Sequence, residues 1–176
     1  MIQPEFELVL FGGLGDLASR KLLPALYFLQ KDGRLGDGHI YLLTRQEIAA
    51  DVFIETIKQA LTKFLPSDSL TETDWLEFSQ RLVCIRMDVT KPQQYQELKQ
   101  SLTDTNSNRV FYLATGSELY IPICKGLQQA ELIHKHSKVV LEKPIGHDLA
   151  SAEQINSAVK EYFEEKQIYR IDHYLG

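Results

Sequence analysis

What most constrains the fold of this chain is a regular exchange of short apolar runs for longer amphipathic ones. FELVLF (6–11) is apolar except at Glu7 and ends at glycines, the pattern of a strand buried on both faces. HIYLLT (39–44), RLVCIRMDV (81–89), RVFYLAT (109–115), KVVLEKP (138–144) and QIYRID (167–172) read the same way. Helical patterns separate them, over 16–31, 49–64, 71–81, from Pro92 onward, 117–132 and 148–165. The first carries Leu17, Leu22, Leu23, Leu26, Tyr27 and Leu29 as a stripe, and Pro24 inside it predicts a kink. Asp148 is the predicted N-cap of the last. Such alternation predicts a parallel sheet covered on both faces. The expected fold is α/β, a Rossmann-like, doubly wound, mostly parallel six-stranded sheet, with residues 1–176 forming one dinucleotide-binding domain.

The bulk numbers fit a single globular domain of 176 residues, with 44% hydrophobic and 24% charged residues. A net charge of −5 excludes a general basic face, so neither nucleic acid nor an anionic membrane is an expected partner. Positive charge for a phosphate ligand must be local. No stretch reaches membrane-spanning length, and no basic leader opens the chain. Cys84 and Cys124 form no CxxC and sit in apolar runs, which predicts buried, reduced thiols and a cytoplasmic protein. His134 and His136 flank Lys135 without acidic or cysteine partners at ligand spacing, so a solvated loop and no metal are expected.

In such sheets ligands bind beyond the carboxyl ends of the strands. The residues there are Gly12 to Gly15, Thr44–Arg45, Asp88, Ala114–Thr115, Lys143–Pro144 and Asp172–His173. FGGLGDLA (11–18) follows the first strand and opens the first helix. Gly13-x-Gly15-x-x-Ala18 fits G-x-G-x-x-A, and Gly12 offers another register. Glycines permit the tight turn and a close approach of pyrophosphate, and a small third residue lets helix and strand pack. The helix N-terminus then faces the phosphates. The second strand ends at Thr44–Arg45, where an NAD site wants a carboxylate for the ribose hydroxyls. A guanidinium there can pair with a 2′-phosphate, which favours NADP. Glu47 lies two residues on and could still serve NAD.

Three motifs in order carry a resemblance. GGLGDLASRKLLPALYFL resembles the GxxGDLAxxKLxPxLxxL signature of the glucose-6-phosphate dehydrogenase family. LEKPIG (141–146) resembles its EKPxG element, and RIDHYLG (170–176) its RIDHYLGK signature without the final lysine. The resemblance covers essentially the whole chain as a coenzyme domain. It implies hydride transfer from C1 of glucose 6-phosphate to NADP, at the entry to the pentose phosphate pathway. It also implies a larger α+β domain, outside these residues, that supplies the base histidine and most of the interface of a homodimer or homotetramer. On this resemblance the chain is the coenzyme half of a longer enzyme and inactive alone. The alternatives are a silent NADP-binding module or another Rossmann sugar oxidoreductase.

Roles carry over by position. Gly12, Gly15, Asp16 and Leu17 match the coenzyme turn, and Arg45 the arginine at the 2′-phosphate; Gly13 and Leu14 inside the turn, and Ala114 and Thr115 at the end of the fourth strand, are coenzyme-binding candidates by their place. Lys143 matches the lysine that reaches substrate and coenzyme, and Pro144 the proline shaping the nicotinamide site. Asp172 matches the carboxylate that orients the base histidine, and His173 and Tyr174 match ligands of the substrate phosphate. Two departures stand inside the motifs. Leu14 occupies a position where members often carry a small or polar residue. ATGSELY (114–120) replaces a proline-rich loop, which predicts a looser loop with Tyr120 at the aromatic position.

Overall fold

A computed structural model describes residues 5–102 and 108–172. Six strands form one sheet: β1 (Phe6–Phe11), β2 (Gly38–Thr44), β3 (Leu82–Arg86), β4 (Asn108–Leu113), β5 (Lys138–Glu142) and β6 (Ile168–Ile171). Their order is β3-β2-β1-β4-β5-β6, and every pair is parallel. The chain leaves β1 in one direction to build β2 and β3, then returns to β1 and builds β4 to β6 on the other side. That reversal is the topological switch point of a doubly wound sheet.

Both faces are covered, which is why the strands read as continuous apolar runs. The helices α1 (Leu23–Lys31), α2 (Ala50–Phe64) and α3 (Glu72–Ser79) pack on one face. Tyr27, Phe53, Ile57, Leu61, Trp75 and Phe78 meet Leu10, Ile40, Leu42 and Tyr112 there. Phe53, Ile57 and Leu61 repeat every four residues, so one stripe of α2 does the burying. The helices α4 (Pro92–Ser101), α5 (Tyr120–Gln129) and α6 (Leu149–Lys160) cover the other face. Tyr95, Tyr120, Ile123 and Val159 pack there on Val9, Phe11, Phe111 and Leu141.

The expected disturbance at Pro24 takes the form of a π-helical turn over Ala18–Leu22, directly before α1. Proline has no N–H to give and crowds the carbonyl four residues back. The turn widens instead, and Leu23 N–H donates to the Ala18 carbonyl five residues back. Asp148 is the N-cap of α6: its carboxylate accepts from Ser151 N–H at 2.8 Å, and Ser151 Oγ accepts from Asp148 N–H at 3.0 Å.

Glu7, the one acid in β1, is buried at 2% exposure. Its in-register neighbour on β4 is Arg109, whose Nη2 lies 2.6 Å from Glu7 Oε2. Arg109 also donates from Nε to that oxygen and from Nη1 to the Leu132 carbonyl. Cys124 is buried, and burial pushes its thiol up to about 12. Cys84 departs from expectation in being partly exposed, because it lies on β3 at the sheet edge. The His134–His136 segment is a turn as expected, although His134 is half-buried, its carbonyl accepting from Gln167 Nε2. Among the described residues no group of three potential metal ligands occurs, and no helix is long and apolar enough to cross a membrane.

Candidate functional site

A cleft of about 550 Å³ opens at the carboxyl ends of β1, β2 and β3, beside the start of the β4 loop. Its volume is that of a small-molecule site, and its place is the switch point. Gly12, Leu14 and Gly15 supply one wall. Thr44, Arg45 and Gln46 come from the end of β2, and Met87, Asp88, Val89 and Thr90 follow β3. Thr115, Glu118 and Leu119 close the far side.

The glycine turn is built by close backbone approaches. Gly12 has φ +77°, and a Cβ there would lie 2.5 Å from the Ala114 carbonyl oxygen. Both facts require glycine. Gly15 N–H donates to the Gly12 carbonyl at 2.9 Å, which tightens the turn into the helix. Gly13 serves the sheet instead. It is buried, donates its N–H to the Leu43 carbonyl, and leaves no room for a Cβ against Leu42. Ala18 is fully buried where the helix meets the strands. Asp16 is exposed and pairs with Arg20 at 3.3 Å, and Leu17 is half-buried. Gly13, Asp16, Leu17 and Ala114 thus support the turn without lining the cleft.

Arg45 is exposed at the cleft wall. Across from it, Asp88 accepts from the Thr90 hydroxyl at 2.7 Å and the Thr90 N–H at 3.0 Å. Those bonds hold its carboxyl below the ordinary range, with smaller help from the Lys91 and Arg45 charges. Glu47, the acid that could have served NAD, pairs with Arg86 at 2.8 Å and does not line the cleft.

The second cluster lies at the ends of β5 and β6. Lys143 Nζ is 3.6 Å from Asp172 Oδ2, and both side chains are about half exposed. The Lys143–Pro144 bond is cis, and Lys143 N–H donates to the Ile171 carbonyl. Tyr120 anchors this corner. Its buried hydroxyl donates to the Glu142 carbonyl at 3.1 Å and accepts from Glu142 N–H at 3.2 Å, and the Tyr112 hydroxyl donates to the Glu142 carboxylate. Burial first, then Glu142, pushes the Tyr112 hydroxyl's pKa up. The Thr115–Gly116 loop closes as one 3₁₀ turn, Ser117–Leu119, whose Ser117 Oγ accepts from Gly146 N–H at 3.3 Å. Arg170 belongs to the scaffold. Its Nε donates to Asn156 and its Nη1 to Glu165, which ties β6 to α6. His173 and Tyr174 lie outside the described residues.

Gly12, Leu14, Gly15, Arg45 and Thr115 therefore meet in one cleft, while Lys143, Pro144 and Asp172 sit at the adjoining strand ends. Gln46, Val89 and Thr90 escaped the sequence reading; Gln46 lies two residues past β2, and Val89 and Thr90 three and four residues past β3. Glu118 and Leu119 had no such signal, because the turn after β4 folds back toward β1 only in three dimensions.

A donor set of this kind fits a dinucleotide: a glycine turn without Cβ atoms, a guanidinium at the end of β2, and a cleft between them. Comparison with known proteins agrees. Residues 9–176 match the family described as glucose-6-phosphate dehydrogenase, NAD binding domain. The glucose-6-phosphate 1-dehydrogenase of Mycolicibacterium smegmatis is 43% identical over 176 residues, covering 97% of this chain and 36% of that protein. The Chlamydia pneumoniae enzyme is 40% identical over 98% of this chain and 36% of its own length. The crystal structure of glucose-6-phosphate 1-dehydrogenase from Mycobacterium avium superposes with a TM-score of 0.89 at 31% identity, over 98% of this chain and 37% of that one. A glucose-6-phosphate dehydrogenase solved in complex with glucose-6-phosphate superposes at 0.84 with 27% identity, over 99% of this chain and 37% of that one. The chain spans little more than a third of the length of these relatives, and it belongs to the glucose-6-phosphate dehydrogenase family as its nicotinamide-coenzyme-binding domain.

Proposed function

We propose that this chain binds NADP and serves as the coenzyme domain of an enzyme that oxidises glucose 6-phosphate to 6-phosphoglucono-1,5-lactone. The observation that supports it most is the cleft in which the Gly12–Gly15 turn faces Arg45 at the end of β2. An arginine fork suits a 2′-phosphate, and the nearest acid past β2, Glu47, is already paired with Arg86.

NADP would supply the hydride acceptor. The residues of this chain bind and orient around it. The Gly12–Gly15 turn, which lines the cleft, and the helix that opens after it receive the pyrophosphate. Lys143 holds a positive charge where sugar and nicotinamide meet. Asp172 orients a base histidine contributed from outside these residues, keeping its tautomer and favouring its protonated form as the C1 hydroxyl proton leaves. His173 and Tyr174 donate to the substrate phosphate. The chain on its own is inactive in this reading, and the complete enzyme is a cytoplasmic homodimer or homotetramer.

The test is calorimetric titration of this chain with NADP⁺ and NAD⁺, repeated for Arg45→Ala. The expected result is tighter binding of NADP⁺, weakened about tenfold or more by the alanine change, with NAD⁺ nearly unaffected. A folded chain that binds neither nucleotide overturns the proposal.

A further inference from the structure

Past the strand ends, the β2–β3 corner of the cleft carries four charges of which the proposed function uses one. Arg45 and Asp88 line the cleft, and Glu47 and Arg86 form an ion pair just outside it. Thr44, the last residue of β2, is the in-register neighbour of Arg86, the last residue of β3. Met87 N–H donates to the Thr44 carbonyl at 2.7 Å, so the two chains stay side by side beyond the strands. Neighbouring strands lie about 4.8 Å apart. Arg86 thus starts one strand spacing from the end of β2, and its guanidinium is held 2.8 Å from Glu47, two residues after Arg45.

The pair has little structural work to do. The Arg86 and Glu47 side chains are 64% and 81% exposed, and such a pair contributes about 0–1 kcal/mol to stability. Its partners remain exchangeable in water. What it does at this corner is cancel a charge. Arg45 faces Asp88, whose carboxylate Thr90 keeps occupied, and Arg86 faces Glu47. The charges of these two pairs sum to zero.

Building on the NADP reading, we infer that the Glu47–Arg86 pair tunes coenzyme choice: Arg86 is a second cation for the 2′-phosphate, and Glu47 holds it in reserve. Glu47 opposes the phosphate by its own charge and by occupying the Arg86 fork. A bound 2′-phosphate competes with Glu47 for that fork, and NAD, lacking the phosphate, leaves the pair closed. Discrimination then depends on two arginines and one carboxylate rather than on Arg45 alone.

Titration of wild type, Glu47→Gln, Arg86→Ala and the double variant with NADP⁺ and NAD⁺, at low and high salt, tests this. Glu47→Gln is expected to tighten NADP⁺ binding about threefold to fivefold, Arg86→Ala to weaken it by a similar factor, and neither to move NAD⁺ beyond about twofold. Both effects should shrink at high salt, and the Glu47 effect should be smaller when Arg86 is absent. An unchanged NADP⁺/NAD⁺ ratio in both single variants, with binding retained, overturns this inference and leaves the coenzyme site standing. Loss of NAD⁺ affinity in Glu47→Gln overturns it too, since Glu47 would then be a ribose ligand. A wild-type chain that binds neither nucleotide overturns the coenzyme reading itself.

Discussion

The two ends of the same sheet treat charge in opposite ways. At the amino end, Glu7 on β1 and Arg109 on β4 are 3% and 4% exposed and bonded to each other through two guanidinium nitrogens, with a third contact to the Leu132 carbonyl. At the carboxyl end, Lys143 and Asp172 stand 3.6 Å apart and about half exposed, and Arg45 lies open on the cleft. A buried pair must repay its desolvation with good geometry and cannot change partners. An exposed pair contributes little and can. The amino end is thus scaffold, and the carboxyl end keeps its charges available for ligands.

The comparison breaks most visibly at Arg109. Arg109→Ala takes the guanidinium away from the buried Glu7 carboxylate and is expected to cost about 3–5 kcal/mol, read as a large drop in denaturation midpoint. If Arg109→Ala unfolds as late as wild type, the amino-end pair is not scaffold. Gly12→Ala comes next: a left-handed φ and the Ala114 carbonyl in the way should cost about 2 kcal/mol or more and abolish nucleotide binding. Arg45→Ala should do the reverse of Arg109→Ala, losing about tenfold or more in NADP⁺ affinity with the midpoint within about 0.5 kcal/mol of wild type. Lys143→Ala should shift stability by less still, because its pair is half exposed, and thermal unfolding would show it.

The smallest effect sharpens the comparison through pH. The Ser151 N–H first, and its hydroxyl second, hold the Asp148 carboxyl below its ordinary 3.8. A depressed folded value means the cap stabilises the fold above pH 4 and stops doing so as pH falls through that lowered value. The melting difference between wild type and Asp148→Ala should therefore be present at pH 7 and narrow toward pH 3. A difference that is constant with pH would mean that the charge of Asp148 plays no part in the cap.

The fold was largely legible because burial on both faces writes itself into each strand locally. FELVLF, HIYLLT and RVFYLAT are apolar in consecutive positions, and Phe53, Ile57 and Leu61 show the helical period. The Asp148 cap was legible for the same reason, since its partner is three residues away. Strand order was not written there, nor was the π turn that absorbs Pro24. Of the site, Gly12, Gly15 and Arg45 were legible as glycine-turn and strand-end residues. Glu118 and Leu119 were not, because they reach the cleft through a turn whose direction depends on how β4 sits against β1. Tyr120 could be matched as an aromatic, but the Glu142 backbone that its hydroxyl grips lies 22 residues away.

By itself the sequence determined the alternation of strand and helix, the glycine turn and the cation at the end of β2, since each depends on neighbours within a few residues. Only the tertiary structure decided which charge faces which. Glu7 and Arg109 are 102 residues apart and meet as register neighbours on β1 and β4, and Glu47 and Arg86 are 39 apart and meet because register sets Arg86 beside Thr44, at the end of β2 from which the Glu47 loop leaves. Register is settled by packing both faces of the whole sheet at once, and no local stretch carries that information.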